Sequence, residues 1–214
     1  MLSPGQLHRL KAIATPWPAL KPDFKPEPSA WFGSNHARVF TELLTKKPAG
    51  LYMELGTWTG AGSTNFVAKF FPRMTMVCVD TFEGSEEHLK HPTQSKIAAN
   101  LWSLFCVNRW EERSRIFPVR KSSVSGMQLI ANANLAPDFI YIDAAHDAAS
   151  VHADVQAALT LFPKAVVFGD DYVLPGKGHT GVYDGLMRAK DQNLFQVSEI
   201  SSFDRIWYLT RNLK

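Results

Sequence analysis

The 214-residue sequence predicts an α/β protein: a mostly parallel, seven-stranded sheet with helices on both faces and an antiparallel end strand. Three observations predict it. From residue 36 onward, short apolar runs of strand length alternate with stretches whose apolar residues recur at helical spacing. Four of the apolar runs finish in acids, at Glu54, Asp80, Asp143 and the pair Asp170–Asp171. The last two apolar runs follow each other with no helix between them, which suits antiparallel neighbours.

The elements follow in order. Residues 1–35 are a proline-rich arm carrying Pro4, Pro16, Pro18, Pro22, Pro26 and Pro28. Proline at that density blocks long helices and sheet pairing. What remains is a short helix near Gln6–Ile13, then an extended stretch with Trp17, Trp31 and Phe32 as apolar anchors. Such an arm wraps its own domain or reaches a second copy in a homodimer. The domain proper, 36–214, opens with a helix near His36–Leu44 that places Val39, Phe40, Leu43 and Leu44 on one face. A first strand over 51–55 leads to a helix from Ser63 to Phe71 and a second strand near 75–79. Residues 82–93 are polar, with Gly84, His88, His91 and Pro92, and read as a loop or lid. A helix near Gln94–Phe105, a strand at Ile116–Val119, a helix near Ser125–Ala133 and a strand at Phe139–Ile142 come next. Val151, Val155, Ala158, Leu159 and Phe162 mark one face of a further helix, and Ala165–Phe168 a fifth strand. The glycine-containing loop Pro175–Gly181, with His179, suits a lid. A helix near Tyr183–Lys190 and strands near Phe195–Ile200 and Arg205–Thr210 close the chain.

Composition narrows the function. The net charge is +3, and the basic residues are scattered rather than gathered into a stripe, which argues against a nucleic-acid partner. No apolar run approaches the roughly 18 residues that span a bilayer, and the N-terminus has no signal-peptide core. Cys78 and Cys106 are the only cysteines and have no metal-type spacing, so a reducing, cytoplasmic setting is expected.

The chemistry begins at Met53–Ser63, read as Met-Glu-Leu-Gly-Thr-Trp-Thr-Gly-Ala-Gly-Ser. A strand, a glycine turn and a helix, followed by a strand ending in a carboxylate, make a nucleoside-cofactor site. Gly56, Gly60 and Gly62 do not have the dinucleotide spacing G-x-G-x-x-G, and Glu54 would repel a pyrophosphate. A cofactor with a cationic, amino-acid-like end tolerates that carboxylate, and S-adenosylmethionine (SAM) has one. Asp80 can accept both hydrogen bonds of a ribose diol. At the same rim, Asp143, Asp170 and Asp171 cluster with Glu54 and Asp80, although like charges repel. A hard cation such as magnesium relieves that repulsion. His146, three residues beyond Asp143, has a side chain suited to taking a proton from a hydroxyl.

The run Glu-x-Gly-x-x-x-Gly-x-Ser, with Ile-Asp143-x-x-His146 and Gly-Asp170-Asp171-Tyr, resembles the class I SAM-dependent methyltransferases. It is most similar to their metal-dependent catechol- and macrocin-type O-methyltransferase branch. The resemblance spans about residues 50–210 and implies the Rossmann-like class I methyltransferase fold. It implies Mg2+ or another hard divalent cation on Asp143, Asp170 and Asp171, with Asp143 and His146 catalytic. It implies cofactor contacts from Glu54, Gly56, Thr57, Trp58, Gly60, Ser63, Asp80, Thr81, Phe82, Ser122, Ser123 and Asp143. The implied acceptor is a hydroxyl on a sugar or other small molecule. An NAD(P)-dependent oxidoreductase, or a protein that binds SAM or a metal without catalysis, is the alternative.

Overall fold

The computed structural model describes residues 2–175, 180–192, 197–203 and 205–211. The centre of the expected lid, 176–179 with His179, lies outside the described residues, as does the expected start of the sixth strand at Phe195. The helices are α1 (Pro4–Ile13), α2 (Ser34–Leu44), α3 (Ser63–Phe70), α4 (Glu86–Lys90), α5 (Gln94–Ala98), α6 (Leu101–Asn108), α7 (Ser123–Asn132), α8 (Ala148–Leu161) and α9 (Gly181–Asp191). The strands are β1 (Leu51–Leu55), β2 (Thr75–Asp80), β3 (Ile116–Arg120), β4 (Phe139–Ile142), β5 (Val166–Gly169), β6 (Val197–Phe203) and β7 (Ile206–Arg211).

The seven strands form one sheet in the order β3-β2-β1-β4-β5-β7-β6. The pairings from β3 through β5 are parallel, and those of β7 with β5 and β6 are antiparallel. Strand order reverses between β1 and β4, where open α/β sheets place their ligands. The inner strands are buried on both faces, so successive residues feed two different cores. Met53, Leu55, Val77, Val79, Ile140 and Ile142 pack under α7, α8 and α9. Tyr52, Met76, Cys78, Phe139, Tyr141 and Phe168 pack under α2, α3 and α6.

The arm lies against its own domain. Thr15 N donates to Pro118 O at 2.7 Å, Arg120 N donates to Thr15 Oγ1 at 3.0 Å, and Trp17 Nε1 donates to Ile116 O at 3.1 Å. These bonds cover the exposed edge of β3, a row of backbone groups that would otherwise template pairing with another chain.

Two local expectations change. The segment expected as a loop over 82–93 contains α4, started by a reciprocal cap: Ser85 Oγ accepts from His88 N, and His88 Nδ1 accepts from Ser85 N. That is the capping-box arrangement with histidine in place of glutamate. The helix expected over 94–105 divides into α5 and α6. Asn100, at φ −126° and ψ 16°, is the N-cap of the second piece.

Candidate active site

The site is a cavity of about 1040 Å³ beyond the carboxyl ends of β1, β4 and β5. The glycine turn after β1 forms one wall, through Gly56, Thr57, Trp58, Ala61, Gly62 and Ser63. Gly56 has φ +82°, and a Cβ there would overlap the backbone of Asp143 and Ala144. Only glycine lets the ends of β1 and β4 approach this closely. Trp58 is also left-handed, at φ +50°, and its Nε1 is buried with no partner among the described residues. A buried donor without an acceptor calls for one from a ligand. This fits a cofactor seated on the turn.

The carboxylates behind this wall are held by the chain itself. Glu54 is fully buried. Its Oε1 accepts from Ser63 Oγ at 2.5 Å and Thr64 Oγ1 at 3.0 Å, and its Oε2 accepts from Tyr52 OH at 3.3 Å. Burial pushes its pKa up to about 8, against the lowering effect of the two helix hydroxyls. Asp80 Oδ2 accepts from the backbone of Thr57 at 2.8 Å and Trp58 at 3.0 Å, and its Oδ1 from Phe82 N at 2.7 Å. Burial raises the Asp80 pKa, and these three donors oppose the rise.

The second wall is the acid cluster. His146 Nε2 is 3.1 Å from Asp171 Oδ2 and 3.9 Å from Asp143 Oδ1. Tyr141 OH is 3.4 Å from both Asp143 Oδ2 and Asp170 Oδ2. The Asp143 pKa is raised, first by burial, while His146 lowers it and Asp170 raises it. Asp143, His146 and Asp171 bring one ligand atom each within 4.8 Å of one another. Asp170 points elsewhere, with Oδ2 2.7 Å from His36 Nε2 and Oδ1 accepting from Asp171 N. His36 Nδ1 accepts from Gly33 N at 3.3 Å, so its proton sits on Nε2 and is donated to Asp170. That bond is also the main reason the His36 pKa is raised. Arg205 pairs with the other Asp171 oxygen, Oδ1. Two converging carboxylates and an imidazole, with a third carboxylate joined through one tyrosine hydroxyl, form a donor set that fits a divalent cation.

Of the expected site residues, Gly56, Thr57, Trp58, Ser63, Asp143, His146, Asp170 and Asp171 line the cavity. Others expected at the cofactor do not. Glu54 and Asp80 are turned into the protein by the bonds above. Gly60 lies against the ring of Phe105. Phe82 is in the core with its ring 5.0 Å from those of Trp102 and Phe105, and Thr81 is exposed, its hydroxyl accepting from Glu83 N. Ser122 is exposed and bonded to Ser125, while Ser123 sits near the Asp154 carboxylate on α8, whose pKa burial raises and Ser123 lowers. The sequence reading missed His36, Arg205 and the arm residues Ser29, Ala30 and Trp31, all of which line the cavity.

This fold and site define a class I, SAM-dependent methyltransferase. The chain belongs to the Methyltransf_24 family, whose model, described as a methyltransferase domain, matches residues 53–172. The oxidoreductase alternative falls with that match. Solved structures share the fold. Cofactor-bound Rv0187 from MTB is 16% identical with a TM-score of 0.54, over 98% of this chain and 91% of that one. CalS11, a calicheamicin methyltransferase, is 15% identical with a TM-score of 0.53, over 82% of this chain and 77% of that one. The MycE methyltransferase of the mycinamycin biosynthetic pathway, in complex with Mg, SAH and mycinamycin VI, is 16% identical with a TM-score of 0.53. That match covers 84% of this chain and 49% of MycE, so this chain spans about half of MycE's length. No curated protein matches the sequence.

Proposed function

We propose that this methyltransferase transfers the methyl group of SAM to a hydroxyl of a sugar or other small molecule. Asp143 and Asp171 would hold a divalent cation, with Asp170 joining them on release from His36, magnesium being the first to test, and His146, beside these carboxylates, would take the hydroxyl proton. One observation carries the reading: a single cavity joins the glycine turn to the acid cluster. The cofactor would supply an electrophilic methyl on a positively charged sulfur, and the cation would acidify an acceptor hydroxyl.

The chain's own residues supply the rest. The Gly56–Ser63 turn positions the cofactor with backbone groups and the Trp58 indole. His146 lines the cavity with its Nε2 3.1 Å from an Asp171 oxygen, so the imidazolium formed by proton uptake is stabilised by Asp171. At the cavity edge Trp31 is 61% exposed and Leu174 50% exposed, an apolar rim suited to the face of a ring. Catalysis then rests on positioning and on charge placed in advance. The buried free thiols of Cys78 and Cys106 favour a cytoplasmic setting, and no helix of the described residues is long and apolar enough to cross a membrane.

The test is calorimetry with S-adenosylhomocysteine (SAH), in magnesium and in EDTA, followed by methyl-transfer assays on hydroxyl acceptors. Micromolar SAH binding and transfer that stops in EDTA and returns with magnesium are expected. Full transfer in EDTA would remove the cation from the mechanism. Absence of SAH binding would overturn the cofactor assignment.

A further inference from the structure

Arg205 occupies the turn between β6 and β7 at φ +76°, and Asp171, just after β5, is at φ +61°. Neither is glycine, and left-handed backbone at such residues is uncommon and held only by its surroundings. The holding bonds are present. Tyr172 N donates to Arg205 O at 2.8 Å, and Trp207 Nε1 donates to Asp170 O at 3.0 Å. They lock the turn onto the end of β5, and the Arg205 guanidinium meets the Asp171 carboxylate. Asp171 thus lies between Arg205 on one side and His146 on the other, and Arg205 lines the same cavity.

We infer that Arg205 is a built-in counter-cation: it neutralises Asp171 when no metal ion is bound and competes with the ion for that carboxylate. The inference rests on the cation reading above. A guanidinium and a divalent ion on one carboxylate repel each other, so the ion binds more tightly once the arginine has moved away. The Arg205 side chain is 60% exposed, so it can leave into water at little cost. The carboxylate cluster is therefore tolerable before the ion arrives, and the ion's affinity is held below what the acids alone would give.

The experiment titrates Mn2+ into the full chain, wild type, Arg205→Gln and Arg205→Lys, read by the electron paramagnetic resonance of free Mn2+. SAH affinity in EDTA is measured alongside and is expected to stay unchanged. Arg205→Gln is expected to bind Mn2+ about three- to tenfold more tightly than wild type. Arg205→Lys, which keeps the charge, is expected to stay within about twofold. Mn2+ binding by Arg205→Gln alone, absent in wild type, would also support the inference. If wild type binds Mn2+ and Arg205→Gln binds it equally or less well, the inference is overturned and the cation reading stands. If neither binds, both fall. If Arg205→Gln loses SAH binding, so that its fold is in question, Arg205→Met is judged by the same criteria.

Discussion

The two halves of the acidic rim are built differently. Glu54 and Asp80 take neutral donors from nearby: two hydroxyls of α3, a tyrosine two residues away, and backbone groups of the turn they support. Asp143, Asp170 and Asp171 take imidazoles and a guanidinium, some from remote elements; His36 stands 134 residues from Asp170. Neutral local donors fix a carboxylate in place. Ionisable partners, some from elsewhere, can be exchanged for a ligand. The first half shapes the turn, and the second half is where charge is handled.

Substitutions can break that contrast. The largest effect is expected from Asp143→Asn: methyl transfer falls on the order of 10²–10³-fold, while SAH still binds, because the turn keeps its own bonds. Single-turnover transfer and SAH calorimetry together check this. His146→Ala comes next, at about 10²-fold at neutral pH, with the deficit shrinking as pH rises and the acceptor hydroxyl ionises unaided. A pH–rate profile parallel to that of wild type would remove the base role. In the other half, Asp80→Ala strands three backbone donors and should cost about 1–3 kcal/mol of stability while weakening SAH binding, read by denaturant melts and calorimetry.

The smallest effect sharpens the contrast through pH. Glu54 has a folded pKa of about 8 against an ordinary 4.5, so the folded state binds the extra proton between those values. Its contribution to stability is complete below about pH 4.5 and is lost as pH rises toward 8. Glu54→Gln should therefore flatten the decline in stability from pH 5 to 8, gaining on wild type at the alkaline end. Parallel stability curves would mean that Glu54 is ionised in the fold.

The same contrast explains what was legible in the sequence. The strands announced themselves because a twice-buried strand is a continuous apolar run, and β1, β3 and β4 fall within a residue of where they were expected. Asp143, His146, Asp170 and Asp171 were legible as a set because each follows a strand end that topology brings to one rim. Their partners were not. Nothing near His36 or Arg205 in the sequence speaks of a carboxylate 34 or more residues away; α2 and the β6–β7 turn have to fold before they meet. α4 was hidden because its cap uses histidine where the familiar signal is glutamate. The Asp80 carboxylate was legible as an acceptor, but its occupation by the turn's own backbone follows from a conformation that left-handed Trp58 helps to set.

The arm along β3 has a consequence in time. Thr15 and Trp17 are made roughly a hundred residues before Pro118 and Ile116, to which they bond. At a synthesis rate of about 5–20 residues per second, the arm waits about 5–20 s for the strand it covers. Ser29, Ala30 and Trp31, farther along the arm, line the cavity and are held through Thr59, Asn108 and Trp58, so this wall waits for residue 108 rather than for β3. A nascent chain stalled before residue 108 would carry the glycine turn without its wall anchored, and ligand-dependent protection from proteolysis should begin only after α6 has emerged.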